Sequence, residues 1–430
     1  MNGRKQVADP LSADEFADLI GRAEPGNALA IAVSGGTDSM VLAALCRAWV
    51  ERHPEIRLHA LIVDHGFRPE SADEAQLVHQ RLQDLDIPAE ILRRMGEAPP
   101  SARQEIGRQT RYRLMADWCL ENGFSDLLVA HHREDQAETV MMRILAGTGV
   151  SGLGAMRVMT DLGEGIRLLR PLLDISRVRL EATRDHLNIP HVEDPSNKDD
   201  AYLRTRIRHW LSDEGPLPVN ANTPGRLAQL ARRAARADAA LERMTEQVAL
   251  TCVTWHRMGW VEIDRTVLQA QPDEIALRIL ARAGAGVGGV PLPLGALERA
   301  WPEIANGAAR TLGQVELHPI GDQHIRIWRQ VRNLPRISWS GDDHEIVWDN
   351  RFMLHRNGAE GPVEVTAALD RCADNHGRSA DRIAQMTAPA VDGIPVPVVL
   401  STEGAEDHAG VYATFLGIDP GPVRHDVGDS

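Results

Sequence analysis

Leu29-Ala30-Ile31-Ala32-Val33-Ser34-Gly35-Gly36-Thr37-Asp38-Ser39 is the stretch on which the reading of this chain turns. Five apolar residues form a short strand. The apolar run from Met40 to Val50 reads as the helix that follows. A glycine pair between them lets backbone N–H groups turn toward one point. With the positive end of the helix they make an anion cradle of the size of pyrophosphate. Ser34 and Ser39 add hydroxyl donors. Asp38 is of the opposite kind. A carboxylate beside phosphates is repelled unless a divalent cation lies between them, so Asp38 is read as a Mg²⁺ or metal–phosphate partner.

Two commoner nucleotide loops are excluded. A Walker A loop places Gly-Lys-Ser/Thr after its turn, whereas the only lysines are Lys5 and Lys198. A dinucleotide fingerprint needs Gly-x-Gly-x-x-Gly, and the spacing differs. Glycines serving turn geometry alone remain the plain alternative, which the whole strand–Ser-Gly-Gly-x-Asp-Ser–helix context opposes. The stretch resembles the PP-loop of the N-type ATP pyrophosphatases, which cleave ATP between the α- and β-phosphates and adenylate a substrate. That resemblance implies ATP as cofactor, with Ser34, Gly35, Gly36, Thr37, Asp38 and Ser39 around it, and leaves the acceptor open.

The 430 residues suggest two or three domains. Hydrophobic content of 43% and charged content of 25% are ordinary for a globular protein. A net charge of −14 argues against a wholly basic nucleic-acid binder. The cations are nearly all Arg and cluster locally, at Arg103, Arg108, Arg111, Arg113 and again at Arg204, Arg206, Arg208, which is compatible with a basic face for RNA. Cys46, Cys119, Cys252 and Cys372 form no Cys-x-x-Cys pair. No leader-like segment or membrane-length apolar run is evident, so a cytoplasmic protein is expected.

Residues 26 to about 190 alternate strands and helices, the βαβ signature of a doubly wound, Rossmann-like parallel sheet. In such α/β folds ligands bind beyond the carboxyl ends of the strands. The motifs fall there: Ser34, then Asp64-His65-Gly66-Phe67-Arg68, then His131-His132. The expected division is 1–214 for the adenylating domain, 215–335 for a mostly helical, RNA-binding or linking domain, and 336–430 for a small α+β region with a frayed tail. Within the second, Gly284 to Gly289 reads as a flexible loop.

Ala130-His131-His132-Arg133-Glu134-Asp135-Gln136-Ala137-Glu138-Thr139 is the densest ionisable cluster. Asp135 and Glu138 are three apart and share one side of a helix's first turn. Acids there also suit the helix dipole, so capping is the competing explanation. The adjacent histidines do not match zinc-ligand spacing.

Taken together, these segments resemble the tRNA(Ile)-lysidine synthetase family. The resemblance rests on Ser34–Ser39, Val63–Arg68, Ala102–Tyr112, Ala130–Thr139, Gly147–Leu153, Arg170–Leu173, Asp194–Asn197 and Arg204–Arg208, over roughly residues 28–210. It implies a ligase that uses ATP to adenylate the C2 oxygen of the wobble cytidine in the CAU anticodon of tRNA(Ile). The ε-amine of L-lysine then attacks C2, and AMP leaves. On this reading Asp38, Arg111, His131, His132 and Asp135 are catalytic and His65 contacts the nucleotide. Asp135 and Glu138 hold lysine, while Arg204 and Arg208 hold tRNA or phosphate. Expected partners are tRNA(Ile) and L-lysine, with no membrane and with a homodimer left open. Glu134 stands where the family usually has Asp, and Ala146 and Ser151 where it commonly has Arg. The alternatives are a thiolating PP-loop enzyme, for which the cysteines supply no pair, and a non-catalytic tRNA-binding relative.

Overall fold

The computed structural model describes residues 8–64, 66, 71–93, 103–163, 165–190, 203–211, 222–256, 259–339, 345–357, 363–367, 389–391, 394–395, 398–399, 410–415 and 424–425. Two compact units divide at Asp238 and Ala239.

In the first unit the chain runs α1 (Ala13–Gly21), β1 (Ala28–Ala32), α2 (Thr37–Val50), β2 (Arg57–Asp64), α3 (Ser71–Asp84), β3 (Ala89–Arg93), α4 (Arg103–Asn122) and β4 (Asp126–Leu128). There follow α5 (Arg133–Leu145), α6 (Val150–Leu153), β5 (Met159–Asp161), β6 (Arg167–Leu169), α7 (Arg177–His186), α8 (Leu203–Trp210) and α9 (Thr223–Cys252), which continues past the boundary. The sheet order is β3-β2-β1-β4-β6-β5, parallel except for the β5 edge. Both faces are covered, as the period of two in the strands requires. Leu29, Ile31, Ala60, Ile62 and Leu128 pack with α1, α2, α3 and α7. Ala28, Ala30, Leu61, Leu127 and Val129 pack on the other side with Met115, Trp118 and Cys119 of α4.

The winding reverses at β1, which pairs with β2 on one side and β4 on the other. That reversal opens a crevice beyond the strand ends. Ile31 is in register with Leu128, so Ser34 and His131 each stand three residues past a paired position. The register therefore delivers both sequence motifs to one crevice.

The first half of α9 packs within the first unit. Asp238, buried on α9, accepts from Ser151 Oγ at 2.6 Å and Arg157 Nη2 at 3.1 Å.

The second unit carries β7 (Val253–His256), β8 (Trp260–Asp264), α10 (Arg265–Gln269), α11 (Asp273–Gly288), α12 (Leu294–Ala305), β9 (Arg310–Leu312), β10 (Val315–Ile320) and β11 (His324–Arg329). The helices expected here are present, and β7 to β11 join β20 (Arg424–His425) in one sheet. Beyond Arg329 lie β12 (Ile337–Trp339), β13 (Glu345–Trp348), β14 (Phe352–Asn357), β15 (Val363–Ala367), β16 (Pro389–Val391), β17 (Ile394–Pro395), β18 (Val398–Val399) and β19 (Gly410–Phe415). They form two four-stranded sheets around Trp339, Trp348, Phe352 and Leu354.

One expectation is overturned. Gly284 to Gly288 is the last turn of α11, not a flexible loop. Its glycines serve close packing: a Cβ at Gly284 would lie 2.3 Å from Leu292, and one at Gly286 2.5 Å from Trp255. The helix ends only at Gly289, whose φ of +70° makes the left-handed cap.

Candidate active site

The loop after β1 is built as an anion cradle. Gly35 has φ +83°, and a Cβ there would lie 2.3 Å from Val78 Cγ2, so both backbone shape and space demand glycine. Gly36 precedes α2 with no side-chain cap, which leaves the first N–H groups of the helix available to a ligand. Ser39 Oγ accepts from Ser34 N–H at 3.2 Å and donates to Gly36 O at 3.0 Å, and the Ser34 and Ser39 hydroxyls are 3.2 Å apart. Thr37 opens the helix.

Asp38, on the first turn of α2, faces the second motif. Its Oδ2 lies 3.6 Å from His132 Nε2. The same nitrogen lies 3.5 Å from Asp135 Oδ2. One buried imidazole thus stands between the loop's carboxylate and that of α5. Asp38 Oδ1 is buried and, among the described residues, has no hydrogen-bond partner. Burial pushes the Asp38 carboxyl above the usual range, Asp135 and Glu181 add to this, and His132 and Arg177 oppose it.

Burial alone would depress His132, but the hydrogen bond to Glu134 and the charges of Asp135, Asp38 and Glu134 outweigh it and raise its pKa. Nδ1 of the charged ring donates to Glu134 Oε2 at 3.1 Å. In the neutral ring the same nitrogen can instead accept from the Glu134 N–H at 3.2 Å. His132 N–H donates to Asp135 Oδ2 at 3.0 Å, so Asp135 also caps α5 as the capping alternative required. Burial works to raise the Asp135 carboxyl, yet His132, Arg204, His131 and the His132 N–H hold it below the ordinary value.

The acids read as lysine ligands and the arginines read as tRNA ligands form one cluster. Glu138, 2% exposed, accepts from Arg204 Nε and Arg208 Nε, each at 2.7 Å. Arg204 Nη2 reaches Asp135 Oδ1 at 2.7 Å. Burial opposes both guanidinium charges, but the two acids raise both pKa values. The pairing has a geometric basis: acids three apart on α5 meet arginines four apart on α8, each pair spanning one helical turn. That match of spacings was the available signal, and reading each pair alone missed it.

One other assignment, Arg111, is not drawn into this cluster. Arg111 is exposed on α4, and among the described residues no hydrogen bond or ion pair joins it to the loop or to His132. His65 lies outside the described residues, as does Asp194–Asn197. His131, half-buried at the end of β4, contributes through its charge on Asp135. Arg177 was not foreseen. Its N–H donates to Glu134 Oε2 at 2.8 Å at the start of α7.

A nucleotide-loop fold of the PP-loop class is what this sheet, cradle and crevice define, and residues 9–214 match the PP-loop domain family, a fold that binds ATP. The chain belongs to the tRNA(Ile)-lysidine synthase family. It is 40% identical to the tRNA(Ile)-lysidine synthase of a Bradyrhizobium species over 306 residues, 69% of this chain and 84% of that one. It is likewise 40% identical to that of Ruegeria pomeroyi over 384 residues, 86% of this chain and 87% of the relative. Among solved structures it is similar to a U34-tRNA thiolase from Methanococcus maripaludis at 17% identity, with a TM-score of 0.44 over 51% of this chain and 77% of that one. No described helix is long and apolar enough to cross a membrane.

Proposed function

We propose that the chain is a C–N bond-forming ligase that makes lysidine in tRNA(Ile). The C2 oxygen of the wobble cytidine attacks the α-phosphorus of ATP, and pyrophosphate leaves. The lysine ε-amine then attacks C2, the C2–O bond breaks and AMP departs. The observation that carries this reading is that His132 Nε2 stands between Asp38 Oδ2 and Asp135 Oδ2, at 3.6 and 3.5 Å. A pyrophosphate cradle and an amine-directed acid cluster thereby share one crevice.

The roles follow from charge. The Ser34–Ser39 loop holds the leaving pyrophosphate with backbone and hydroxyl donors, and His65 is assigned to the nucleotide. The orphaned Asp38 Oδ1 suits Mg²⁺ held by the phosphates, which offsets the repulsion between phosphate and carboxylate. Asp135 and Glu138 attract the ammonium of L-lysine, and the Asp135 carboxylate accepts the proton that the attacking amine loses. His131 and His132 orient phosphate or base. Arg111 supports charge on the adenylate or places the cytidine. Arg204 and Arg208 balance the charge of the acid pair through their ion pairs before substrate binds and meet tRNA phosphate when it arrives. The region 215–335 adds tRNA contacts through the exposed Arg226, Arg233 and Arg236 of α9. A cytoplasmic location accords with these substrates.

The described cysteines, Cys46, Cys119 and Cys252, disfavour the thiolating alternative. Burial pushes the Cys119 thiol up to about 12 and the Cys252 thiol up to about 11, and it raises Cys46 further. Such thiols are poor sulfur carriers at neutral pH. The test is incorporation of labelled lysine into tRNA(Ile) transcript with ATP. Incorporation with stoichiometric pyrophosphate and AMP is expected. Absence of both lysine transfer and pyrophosphate release would refute the reading.

A further inference from the structure

Helix α7 begins without help from its own N-cap. Ser176 precedes it in extended conformation but makes no side-chain cap bond. The first helical N–H, that of Arg177, is taken instead by Glu134 Oε2 at 2.8 Å, from the start of α5. The same oxygen lies 3.1 Å from His132 Nδ1. Glu134 is therefore bound on two sides: to the backbone of a helix packed against α2, and to the one ring that faces both Asp38 and Asp135.

The geometry of the ring depends on this grip. Neither Nε2 contact is within hydrogen-bond distance, at 3.6 Å to Asp38 and 3.5 Å to Asp135. Neither carboxylate alone thus dictates where the imidazole lies. At Nδ1 the ring meets Glu134 twice, the carboxylate Oε2 at 3.1 Å and the backbone N–H at 3.2 Å, and only the carboxylate contact depends on the residue type. A histidine held at one nitrogen by a fixed carboxylate has its other nitrogen aimed and its tautomer set. The charge is drawn into the same arrangement. Burial works to raise the Glu134 carboxyl, but the His132 ring and the Arg177 N–H hold it below the ordinary range, so it is ionised at neutral pH.

We propose that Glu134 is a positioning residue of this reaction, fixing the His132 ring against the α7 start so that Nε2 serves the nucleotide loop and the amine site together. This rests on the lysidine reading above.

The test is a double-mutant cycle on the full-length protein. Glu134→Ala should lower kcat for lysine incorporation by roughly 10–100-fold, the range known for groups that orient metal-bound histidines, with little change in KM for tRNA. In a His132→Ala background the same substitution should cost less than about twofold, because residues that act through one another are not additive. A full, additive loss in that background overturns the proposal. Ser176→Asp combined with Glu134→Ala gives α7 its own cap. It should restore thermal stability and leave kcat low, whereas recovery of both shows Glu134 to be a helix cap only. A wild type that transfers no lysine refutes the lysidine reading separately. Glu134 is then judged on the ring ¹⁵N signals of His132, assigned by their loss in His132→Ala. Those signals should shift in Glu134→Ala, and an unchanged pattern overturns the proposal by itself.

Discussion

Arg204 donates from Nε to Glu138 Oε2 at 2.7 Å, and that carboxylate is 2% exposed. A buried acid of this kind is tolerated only with a partner. Arg204→Ala should therefore destabilise the protein, which an arginine reserved for RNA would not do. Breaking a fully buried pair costs about 3–5 kcal/mol. Arg208 still serves Glu138 and Arg204 is 36% exposed, so about 2 kcal/mol is expected here. Differential scanning calorimetry should show a fall of roughly 4–8 °C in Tm. Adding Glu138→Gln should recover part of it. An unchanged Tm would return Arg204 to the solvated surface.

Asp38 opposes stability and function to one another. Its raised pKa arises chiefly from burial, so the folded-state pKa lies above the unfolded one. Stability from this group is present at low pH and is lost as pH rises through the folded pKa. At pH 7 the ionised carboxylate is a burden on the protein before ligand binds. Asp38→Asn should raise Tm by roughly 2–4 °C, equivalent to about 1 kcal/mol. Asp38→Ala should abolish pyrophosphate release while tRNA still binds. Normal release would refute the metal–phosphate role.

His132 has the opposite dependence on charge. Its folded pKa is raised by Glu134, Asp135 and Asp38 against burial. Its contribution is thus complete below the unfolded value of about 6.5 and is lost as pH rises through the higher folded value. The Tm difference between wild type and His132→Asn should be largest in weak acid and shrink toward alkaline pH. A difference that grows with pH would mean that the ring is held neutral.

Arg226, Arg233 and Arg236 are exposed on α9, whereas Arg232 is tied to Asp174. Each arginine that meets a phosphate steepens the salt dependence of binding by about one unit of log K per log salt. The triple alanine variant should weaken tRNA binding and reduce that slope by up to about three. Arg232→Ala should leave the slope close to wild type. Equal slopes in the triple variant and the wild type would place the RNA path elsewhere.

The loop and the sheet were legible because both depend on short-range pattern. A strand, a glycine pair and a helix in sequence leave few arrangements, and the reversal of strand order at β1 explains why Ser34 and His131 meet. Side-chain partnerships across elements were not legible. Asp135, Glu138, Arg204 and Arg208 were all singled out, but α5 and α8 are about seventy residues apart, and nothing local says that one helix answers the other. The link from Glu134 to Arg177 was missed for the same reason. Gly284–Gly288 misleads in another way. Glycine suggests freedom there, yet Leu292 and Trp255 leave no room for anything larger.

The unpartnered Oδ1 of Asp38 bears on how the enzyme registers its own occupancy. A carboxylate oxygen buried without a donor among the described residues carries a standing cost, so filling the loop removes that cost as well as adding contacts. Nucleotide with its cation should consequently quench local opening at the start of α2 more than the bare phosphate contacts would, and amide exchange at Thr37–Met40 becomes a direct gauge of loading. The first substrate to arrive is then felt as a tightening of the floor on which the second reaction runs.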